Sequence, residues 1–255
     1  GALSIEEWPH ITPSTHLYAL LGHPVTQSPS HITHNALFAQ EGIDAHYLKI
    51  DIEPYEFEKV LPLLQALPFS GFSVTMPYKG RFDLPSTNTL IRTETGEWAT
   101  ASTDGAGALD AIESVTSVAG KEVAILGRGG AARAIQAEAT HRGARVDLYG
   151  RRGVLPFSEL NSPDILVNTT PVTPPIEPYQ IKKGSVVLDA RLDLIRTPLL
   201  ELAEKRGAIA LPGITYFAHQ AAGQFALWYG KTLPKNRVID AVLRAAQSPH
   251  LALRQ

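Results

Sequence analysis

The 255-residue sequence predicts an α/β fold built from two units, in each of which helices connect parallel strands. Three observations predict it. Short aliphatic runs alternate with segments of helical periodicity along the chain. A glycine-rich turn stands between an apolar strand and an alanine-rich helix in the second half of the sequence. Polar residues follow several predicted strands, at the edge where open α/β sheets bind ligands.

The first unit is expected to follow a leader or linker at residues 1–16, which contain two prolines and several polar residues. Its predicted elements are strands at 17–21, 45–50 and 71–75 and helices that end near residues 41 and 66. Gly42 is expected to end the first helix, because glycine adopts the left-handed conformation common after a helix. Pro62 is expected to bend or end the early part of the second helix, because proline lacks the backbone donor.

The second unit begins near residue 121 with Val123–Leu126, an apolar run typical of a strand covered on both faces. An alanine-rich helix follows as far as His141, and Gly143 ends it. Further strands are predicted at 144–149, 165–168 and 186–189, and helices at 217–229 and 237–245.

The composition excludes several classes of function. The chain has no cysteine, so disulfides, thiolate metal sites and thiol catalysis are absent. Its 23 basic and 25 acidic residues provide no positive excess for nucleic acid, and no apolar run is long enough to span a membrane. His31 and His34 share a predicted helix face, yet no metal site is expected. The acidic start does not resemble a signal peptide, so the expected location is the cytoplasm, or the plastid for a plant protein.

The glycine-rich turn is the clearest single motif, and it reads Gly127-Arg128-Gly129-Gly130-Ala131. Its first glycine permits a tight turn, and the following positions let backbone N–H groups approach a pyrophosphate at the start of a helix. Many strand–helix turns use glycine, so the turn alone is weak evidence. Its place inside a βαβ segment of about 30 residues favours nucleotide binding.

The residues at the end of the next strand bear on the choice of nicotinamide cofactor. An acid about 20 residues after the turn favours NAD, and Asp147 has this spacing but lies inside the strand. Arg151 and Arg152 follow the strand and suit the 2′-phosphate of NADP through charge-assisted bonds. The alternative is a solvated pair of surface arginines. We expect NADP, with Asp147 as the counter-argument.

Polar residues of the first unit form a second candidate site. Ser28 and Ser30 precede a helix, where two hydroxyls either cap the helix or hold an anion such as a carboxylate. Thr75 and Lys79 follow a strand, and Lys79 taken alone is typical of a solvated surface lysine. The remaining candidates in this half are Asn88 and Asp104.

In chain order, these segments resemble the shikimate dehydrogenase family over residues 18–230. The matching motifs are Gly22-x-Pro24, Ser28-x-Ser30, His34-Asn35, Ser73-Val74-Thr75-x-Pro77-x-Lys79, Asn88-Thr89-Leu90, Thr103-Asp104-Gly105, residues 127–134, Asn168-Thr169-Thr170-Pro171, Thr197-Pro198-Leu199-Leu200 and Gln220-Ala221-x-x-x-Phe225-x-x-Trp228-x-Gly230. Each motif is short, but their shared order makes coincidence a poor explanation.

The resemblance implies an N-terminal α/β substrate domain (17–105 with 214–255) and a Rossmann-like NADP-binding domain (106–213), separated by a cleft. It implies reversible hydride transfer between NADPH and 3-dehydroshikimate, with Lys79 and Asp104 as the catalytic pair. Substrate would be bound by Ser28, Ser30, Thr75, Lys79, Asn88, Asp104 and Gln220. Cofactor would be bound by Gly127, Arg128, Gly129, Gly130, Ala131, Arg151, Arg152, Asn168, Thr169, Thr170 and Gly213. Whether Lys79 alone or the pair moves the proton stays open.

Four positions depart from the family pattern. Ser73 replaces the usual asparagine, and Arg128 replaces a small residue of the glycine turn. Leu192 stands where a tyrosine is frequent. Tyr216 replaces an apolar residue, and its hydroxyl is expected to reach the substrate carboxylate.

Three alternatives accompany this interpretation. One is a quinate/shikimate dehydrogenase with relaxed cofactor use, and another is a nucleotide-sensing homologue without activity. The third concerns residues 1–7, which resemble the closing segment of a dehydroquinate dehydratase. An upstream dehydratase domain fused to this chain is therefore one hypothesis, and an ordinary leader is the other.

Overall fold

Ten strands and seven α-helices form the described part of this computed structural model, residues 10–230 and 233–246. The strands are β1 (His16–Gly22), β2 (Ala45–Asp51), β3 (Phe69–Val74), β4 (Thr89–Arg92), β5 (Trp98–Ala101), β6 (Glu122–Leu126), β7 (Arg145–Tyr149), β8 (Ile165–Asn168), β9 (Val186–Asp189) and β10 (Ile209–Leu211). The helices are α1 (Ser30–Glu41), α2 (Phe57–Ala66), α3 (Asp104–Glu113), α4 (Gly130–His141), α5 (Pro198–Lys205), α6 (Gly213–Tyr229) and α7 (Lys235–Ala246). Residues 1–9 of the predicted leader, with the dehydratase-like segment, lie outside the described residues.

The first unit is a five-stranded sheet with the order β2-β1-β3-β4-β5. β1 pairs in parallel with β2 and with β3, whereas β4 is antiparallel to both β3 and β5. The prediction of parallel strands is therefore wrong for this edge of the sheet. For β4 and β5 the cause is a tight connection, in which the N–H of Thr93 donates to the carbonyl of Glu97 at 2.8 Å. So short a link joins only antiparallel strands.

The second unit is a five-stranded, wholly parallel sheet with the order β10-β9-β8-β6-β7. All four residues of β8 and of β9 are buried. Helices α3 and α4 cover one face of this sheet and α5 covers the other, which explains why its strands are continuous apolar runs. The predicted α/β class is confirmed.

Helix α6 carries the chain from the second unit back into the first. Phe217, Ala221 and Phe225 of this helix are buried in a core shared with β1, α1 and α7. The second unit is therefore an insertion between parts of the first.

Helix α3 packs between α4 and α6 and depends on two glycines for this position. A Cβ at Gly105 would lie 2.6 Å from the carbonyl of Ala134, and a Cβ at Gly107 would lie 2.8 Å from Gln220. Both distances are shorter than real Cβ contacts, so the three helices meet this closely only with glycine. Among the described residues, none of the helices is long and apolar enough to cross a membrane.

Candidate active site

A cleft of about 910 Å³ lies beside the carboxyl ends of β1 and β3. Its wall contains every residue predicted to bind substrate, namely Ser28, Ser30, Thr75, Lys79, Asn88, Asp104, Tyr216 and Gln220. The last two come from α6, so the site exists only because α6 returns to the first unit. Within the part of the chain that the structure describes, no group of three or more His, Asp or Glu is placed to hold a metal ion.

The centre of the cleft is an ion pair between Lys79 and Asp104. Nζ of Lys79 donates to Oδ2 of Asp104 at 2.6 Å, although the residues are 25 positions apart in sequence. The Asp104 side chain is 4% exposed and the Lys79 side chain 20% exposed. Asp104 is the first residue of α3, where the partial positive charge of the helix end favours a carboxylate. Asp104 is therefore a buried hydrogen-bond acceptor, and the Lys79 ammonium group that it binds is accessible from the cleft.

The other oxygen of Asp104 has two further donors. Oδ1 accepts from the hydroxyl of Tyr216 at 2.8 Å and from Nδ2 of Asn88 at 3.3 Å. Burial, the negative charge of Asp104 and this hydrogen bond raise the pKa of Tyr216 well above its usual value. The sequence predicts that the Tyr216 hydroxyl contacts the substrate carboxylate. In the structure this hydroxyl donates a hydrogen bond to Asp104.

Asn88 and Gln220 are connected through Thr103. Nδ2 of Asn88 donates to the Thr103 hydroxyl at 2.8 Å and lies 3.4 Å from Oε1 of Gln220. The Thr103 hydroxyl donates to the backbone carbonyl of Gln220 at 3.0 Å. This network fixes both amides in the cleft wall.

Ser28 and Ser30 face the same cleft at the start of α1. The Ser28 hydroxyl donates to the Ser30 hydroxyl at 3.0 Å and accepts from the Ser30 backbone N–H at 3.3 Å. Nζ of Lys49 donates to the carbonyls of Thr26 and Ser28, at 3.0 and 3.4 Å, and ties down the preceding loop. Ser28 thus holds the first backbone N–H of α1, although Pro29 is the N-cap residue, and both hydroxyls line the cleft. Anion binding by the two serines stays a prediction.

Gln224 lines the cleft floor and was missed by the sequence analysis. Its Oε1 accepts from the Ser73 hydroxyl at 3.0 Å and lies 3.2 Å from Nε2 of His34. Its Nε2 donates to the carbonyl of Asn88 at 2.9 Å. The departure at Ser73 is thereby explained as a partner of Gln224. The available signal was the spacing of Gln220 and Gln224, which places two amides on one helix face.

The glycine turn joins β6 to α4 as predicted, and Gly127 requires glycine there. Its φ of 121° lies in the left-handed region, and a Cβ would collide with Oγ1 of Thr169. The Thr169 hydroxyl in turn donates to the carbonyl of Leu126 at 2.7 Å. The turn is therefore packed against the loop that follows β8.

Asn168 shapes that same loop from inside. It is fully buried, and its Nδ2 donates to Oδ1 of Asp189 at 3.1 Å. Its Oδ1 accepts from the hydroxyl of Thr170 at 2.7 Å. The Asn168 side chain thus has protein partners, and its bonds fix the position of the loop.

Four arginines surround the far end of the glycine turn. Nη1 of Arg128 donates to the carbonyl of Arg152 at 2.8 Å, and Nε of Arg133 donates to the carbonyl of Arg128 at 3.2 Å. Arg151 and Arg152 are exposed, and neither guanidinium has an ionic or hydrogen-bonding partner among residues 10–230 and 233–246. Asp147 lies inside β7, as predicted, and is exposed. The guanidinium groups of Arg151 and Arg152, unpaired among the described residues, thus follow β7, where the sequence predicts the 2′-phosphate of NADP.

Two further predicted positions lie at the junction of the units. Gly213 starts α6, and a Cβ there would collide with the backbone carbonyl of Arg191. Leu192, which departs from the family pattern, lines the cleft and packs against the core around α6.

Comparisons with known proteins agree with this geometry. The substrate binding domain of shikimate dehydrogenase matches residues 20–83. Shikimate dehydrogenase (NADP(+)) of Methanothermobacter thermautotrophicus is 32% identical over 277 residues, covering 92% of this chain and 98% of that protein. The shikimate biosynthesis protein AroDE of Chlamydia pneumoniae is 32% identical over 248 residues, covering 86% of this chain and 51% of that protein.

A crystal structure of a shikimate dehydrogenase in complex with NADP+ has the same fold, with a TM-score of 0.86 and 26% identity. The match covers 94% of this chain and 98% of that one. Because similarity of 32% extends over nearly the whole of both chains in the Methanothermobacter comparison, the chain belongs to the shikimate dehydrogenase family.

Proposed function

We propose that this chain is an NADP-dependent shikimate dehydrogenase, which transfers a hydride reversibly between NADPH and 3-dehydroshikimate in aromatic amino acid biosynthesis. The observation that carries the proposal is the Lys79–Asp104 pair, which lies in a cleft containing every predicted substrate ligand. Relatives that cover almost the full chain are named shikimate dehydrogenase (NADP(+)).

The structure fits a dinucleotide. No atom lies within 4 Å of a Cβ added at Gly129, so the turn is open there, and among the described residues no side chain caps the N-terminus of α4, whose backbone donors are available to an anion. Gly127, Gly129, Gly130 and Ala131 would hold the pyrophosphate. When bound, NADPH supplies the hydride, so the protein has to provide orientation and a proton.

The 2′-phosphate would lie against the arginines beyond β7. Arg151 would bind it, with Arg152 and Arg128 beside it, because guanidinium groups suit phosphate oxygens and those of Arg151 and Arg152 have no partner within the described part of the chain. Thr169, Thr170 and Gly213 would border the cofactor, and Asn168 would position the Thr169–Thr170 loop. This assignment favours NADP over NAD.

Lys79 would deliver the proton during reduction. The carbonyl carbon of the substrate gains the hydride, and its oxygen, as it becomes an alkoxide, takes a proton from Nζ of Lys79. Asp104 holds this ammonium group by the bond of 2.6 Å and keeps it directed at the reacting oxygen. In the reverse direction the neutral amine accepts the proton.

The remaining cleft residues would orient the ring. Ser28 and Ser30 would donate to the substrate carboxylate, with Thr75 nearby. Asn88, Asp104 and Gln220 would bind ring hydroxyls, since their amide and carboxylate groups provide both donors and acceptors. No part of this set requires a thiol or a metal.

The division into domains is part of the proposal. Residues 17–105 and 214–255 would form the substrate domain, and residues 106–213 the cofactor domain. The two sheets and the return of α6 support these limits, although residues 247–255 lie outside the described part.

A dehydroquinate dehydratase segment upstream of this chain is a further element of the proposal. The Chlamydia relative supports it, because only 51% of that protein is matched. Sequencing the gene upstream tests it: an in-frame dehydratase supports the fusion, and a stop codon followed by a separate start rejects it.

The activity is tested by steady-state kinetics with shikimate and quinate, each with NADP+ and NAD+. We expect shikimate with NADP+ to give the highest kcat/KM. Comparable rates with quinate or NAD+ would favour the relaxed quinate/shikimate enzyme. Cofactor binding without turnover of either substrate would favour a nucleotide sensor and would reject the proposal.

A further inference from the structure

Tyr216 connects the return helix α6 to the acid of the catalytic pair. Its hydroxyl donates to Oδ1 of Asp104 at 2.8 Å, and Nδ2 of Asn88 reaches the same oxygen at 3.3 Å. Lys79 binds the opposite oxygen, Oδ2, at 2.6 Å. The carboxylate of Asp104 is thus held on one side by Lys79 and on the other by Asn88, both from the connection between β3 and β4, and by Tyr216 of α6.

Counting the hydrogen-bond acceptor sites of the Asp104 carboxylate shows how many are left for a substrate hydroxyl. An ionised carboxylate has about four lone-pair sites, two on each oxygen. Tyr216 and Asn88 occupy both sites of Oδ1, and Lys79 occupies one site of Oδ2. One acceptor site is left, on the oxygen that already holds the Lys79 ammonium group.

We propose that Tyr216 is a positioning residue, which fixes the rotation of the Asp104 carboxylate so that Oδ2 alone faces both Lys79 and a substrate hydroxyl. This inference rests on the proposed dehydrogenase function. It replaces the expected contact between Tyr216 and the substrate carboxylate. A phenol has a single proton to donate in a hydrogen bond. In the structure, the Tyr216 hydroxyl donates that hydrogen bond to Asp104.

Two features keep Tyr216 in this role. Burial and the nearby charge of Asp104 raise its pKa well above the usual value, so the phenol remains a donor throughout the working pH range. Gly213, three residues earlier, lets the start of α6 lie directly against the backbone of Arg191. The start of α6, which carries Tyr216, is therefore packed against the loop that follows β9, in the cofactor-binding unit.

The test replaces Tyr216 with phenylalanine, which keeps the ring and removes only the donor. We expect kcat to fall about tenfold or more, as for loss of a hydrogen bond to a charged group. KM for shikimate and Kd for NADP+ should change less than twofold. Tyr229→Phe, on the last turn of the same helix and outside the cleft lining, is the matched control and should retain wild-type kinetics.

A second readout does not depend on activity. In proton NMR, the hydroxyl proton of Tyr216 should give a slowly exchanging downfield resonance, absent in Tyr216→Phe and shifted upfield in Asp104→Asn. A wild-type protein without such a resonance overturns the inference, whether or not it is active.

The kinetic outcomes separate the inference from the function on which it rests. An inactive wild type with the resonance present refutes the proposed function and leaves the hydrogen bond established. An active wild type with unchanged kcat in Tyr216→Phe refutes the positioning role alone. A rise in KM for shikimate at unchanged kcat would also refute it, and would assign Tyr216 to the substrate carboxylate.

Discussion

Nε2 of His34 lies 3.2 Å from Oε1 of Gln224, and this contact joins α1 to α6 inside the substrate-binding unit. Both side chains are buried, and the His34 ring stacks on Tyr47 with ring centroids 4.6 Å apart. Because the amide oxygen of Gln224 only accepts, Nε2 carries the proton of a neutral imidazole. Burial lowers the pKa of His34 to about 4.

This histidine should make stability depend on pH. Its pKa is lower in the folded state than the ordinary value of about 6.5, so the unfolded chain binds the extra proton as pH falls between these values. The contribution of His34 to stability is therefore complete above about pH 6.5 and is lost towards pH 4, and about 2 kcal/mol of it is lost between pH 7 and 4.5. Urea unfolding at the two pH values measures this. The free energy of unfolding of His34→Gln should fall by a correspondingly smaller amount over this pH range. His141→Asn, at an exposed position, is the control and should lose as much as the wild type. A loss in His34→Gln equal to that of the wild type would contradict the assignment.

Replacing Lys79 by alanine should nearly abolish turnover. The substrate oxygen loses its proton donor, and we expect kcat to fall by about two or more orders of magnitude, the usual scale of acid–base catalysis. NADP+ binding, measured by calorimetry, should persist and shows that the variant is folded. Lys59→Ala, at an exposed position of α2, is the control. Near-normal turnover of Lys79→Ala would refute the mechanism.

Two glycines of the same turn should respond differently to alanine. At Gly127 the left-handed backbone and the collision with Thr169 should lower the free energy of unfolding by about 1–3 kcal/mol without any cofactor. At Gly129 no atom lies within 4 Å of the added Cβ, so stability should stay within about 0.5 kcal/mol. Gly129→Ala should instead weaken NADP+ binding, because that methyl group blocks the approach of a pyrophosphate. Equal losses of stability in the two variants would contradict this division.

Arg151→Ala should change the choice of cofactor. Loss of a charge-assisted bond to the 2′-phosphate should weaken NADP+ binding about tenfold or more. NAD+ lacks this phosphate, so its Kd should change less than twofold. Arg145→Ala, at the opposite end of β7 and exposed, should leave both affinities unchanged. A parallel loss for both cofactors would show that Arg151 acts on some shared part of the dinucleotide.

The elements predicted most accurately from the sequence are the strands in which every residue is buried. β8 and β9 were predicted to the residue, because a strand buried on both faces is a continuous apolar run. β4, β5 and α3 were missed. The two strands have four residues each, and α3 contains Gly105 and Gly107, which lower helix propensity. Those glycines serve the packing of α4 and α6, a reason that is visible only in three dimensions.

The candidate site was predicted as a set of residues and not as a set of contacts. Motif resemblance identified Lys79 and Asp104 individually, but their bond crosses 25 positions of sequence. The partners of Tyr216 and Gln224 lie more than 100 positions away. Such contacts depend on the path of α6 back across the first sheet, which no local pattern encodes.

The insertion of one unit within the other has a consequence for synthesis on the ribosome. The parallel sheet of the cofactor-binding unit is complete once residue 211 has been made. The core of the flanking unit still awaits Phe217, Phe225 and Val238 at that point. The inserted unit can therefore fold first, as the chain emerges, while the earlier strands β1 to β5 must wait with one face uncovered until α6 and α7 arrive.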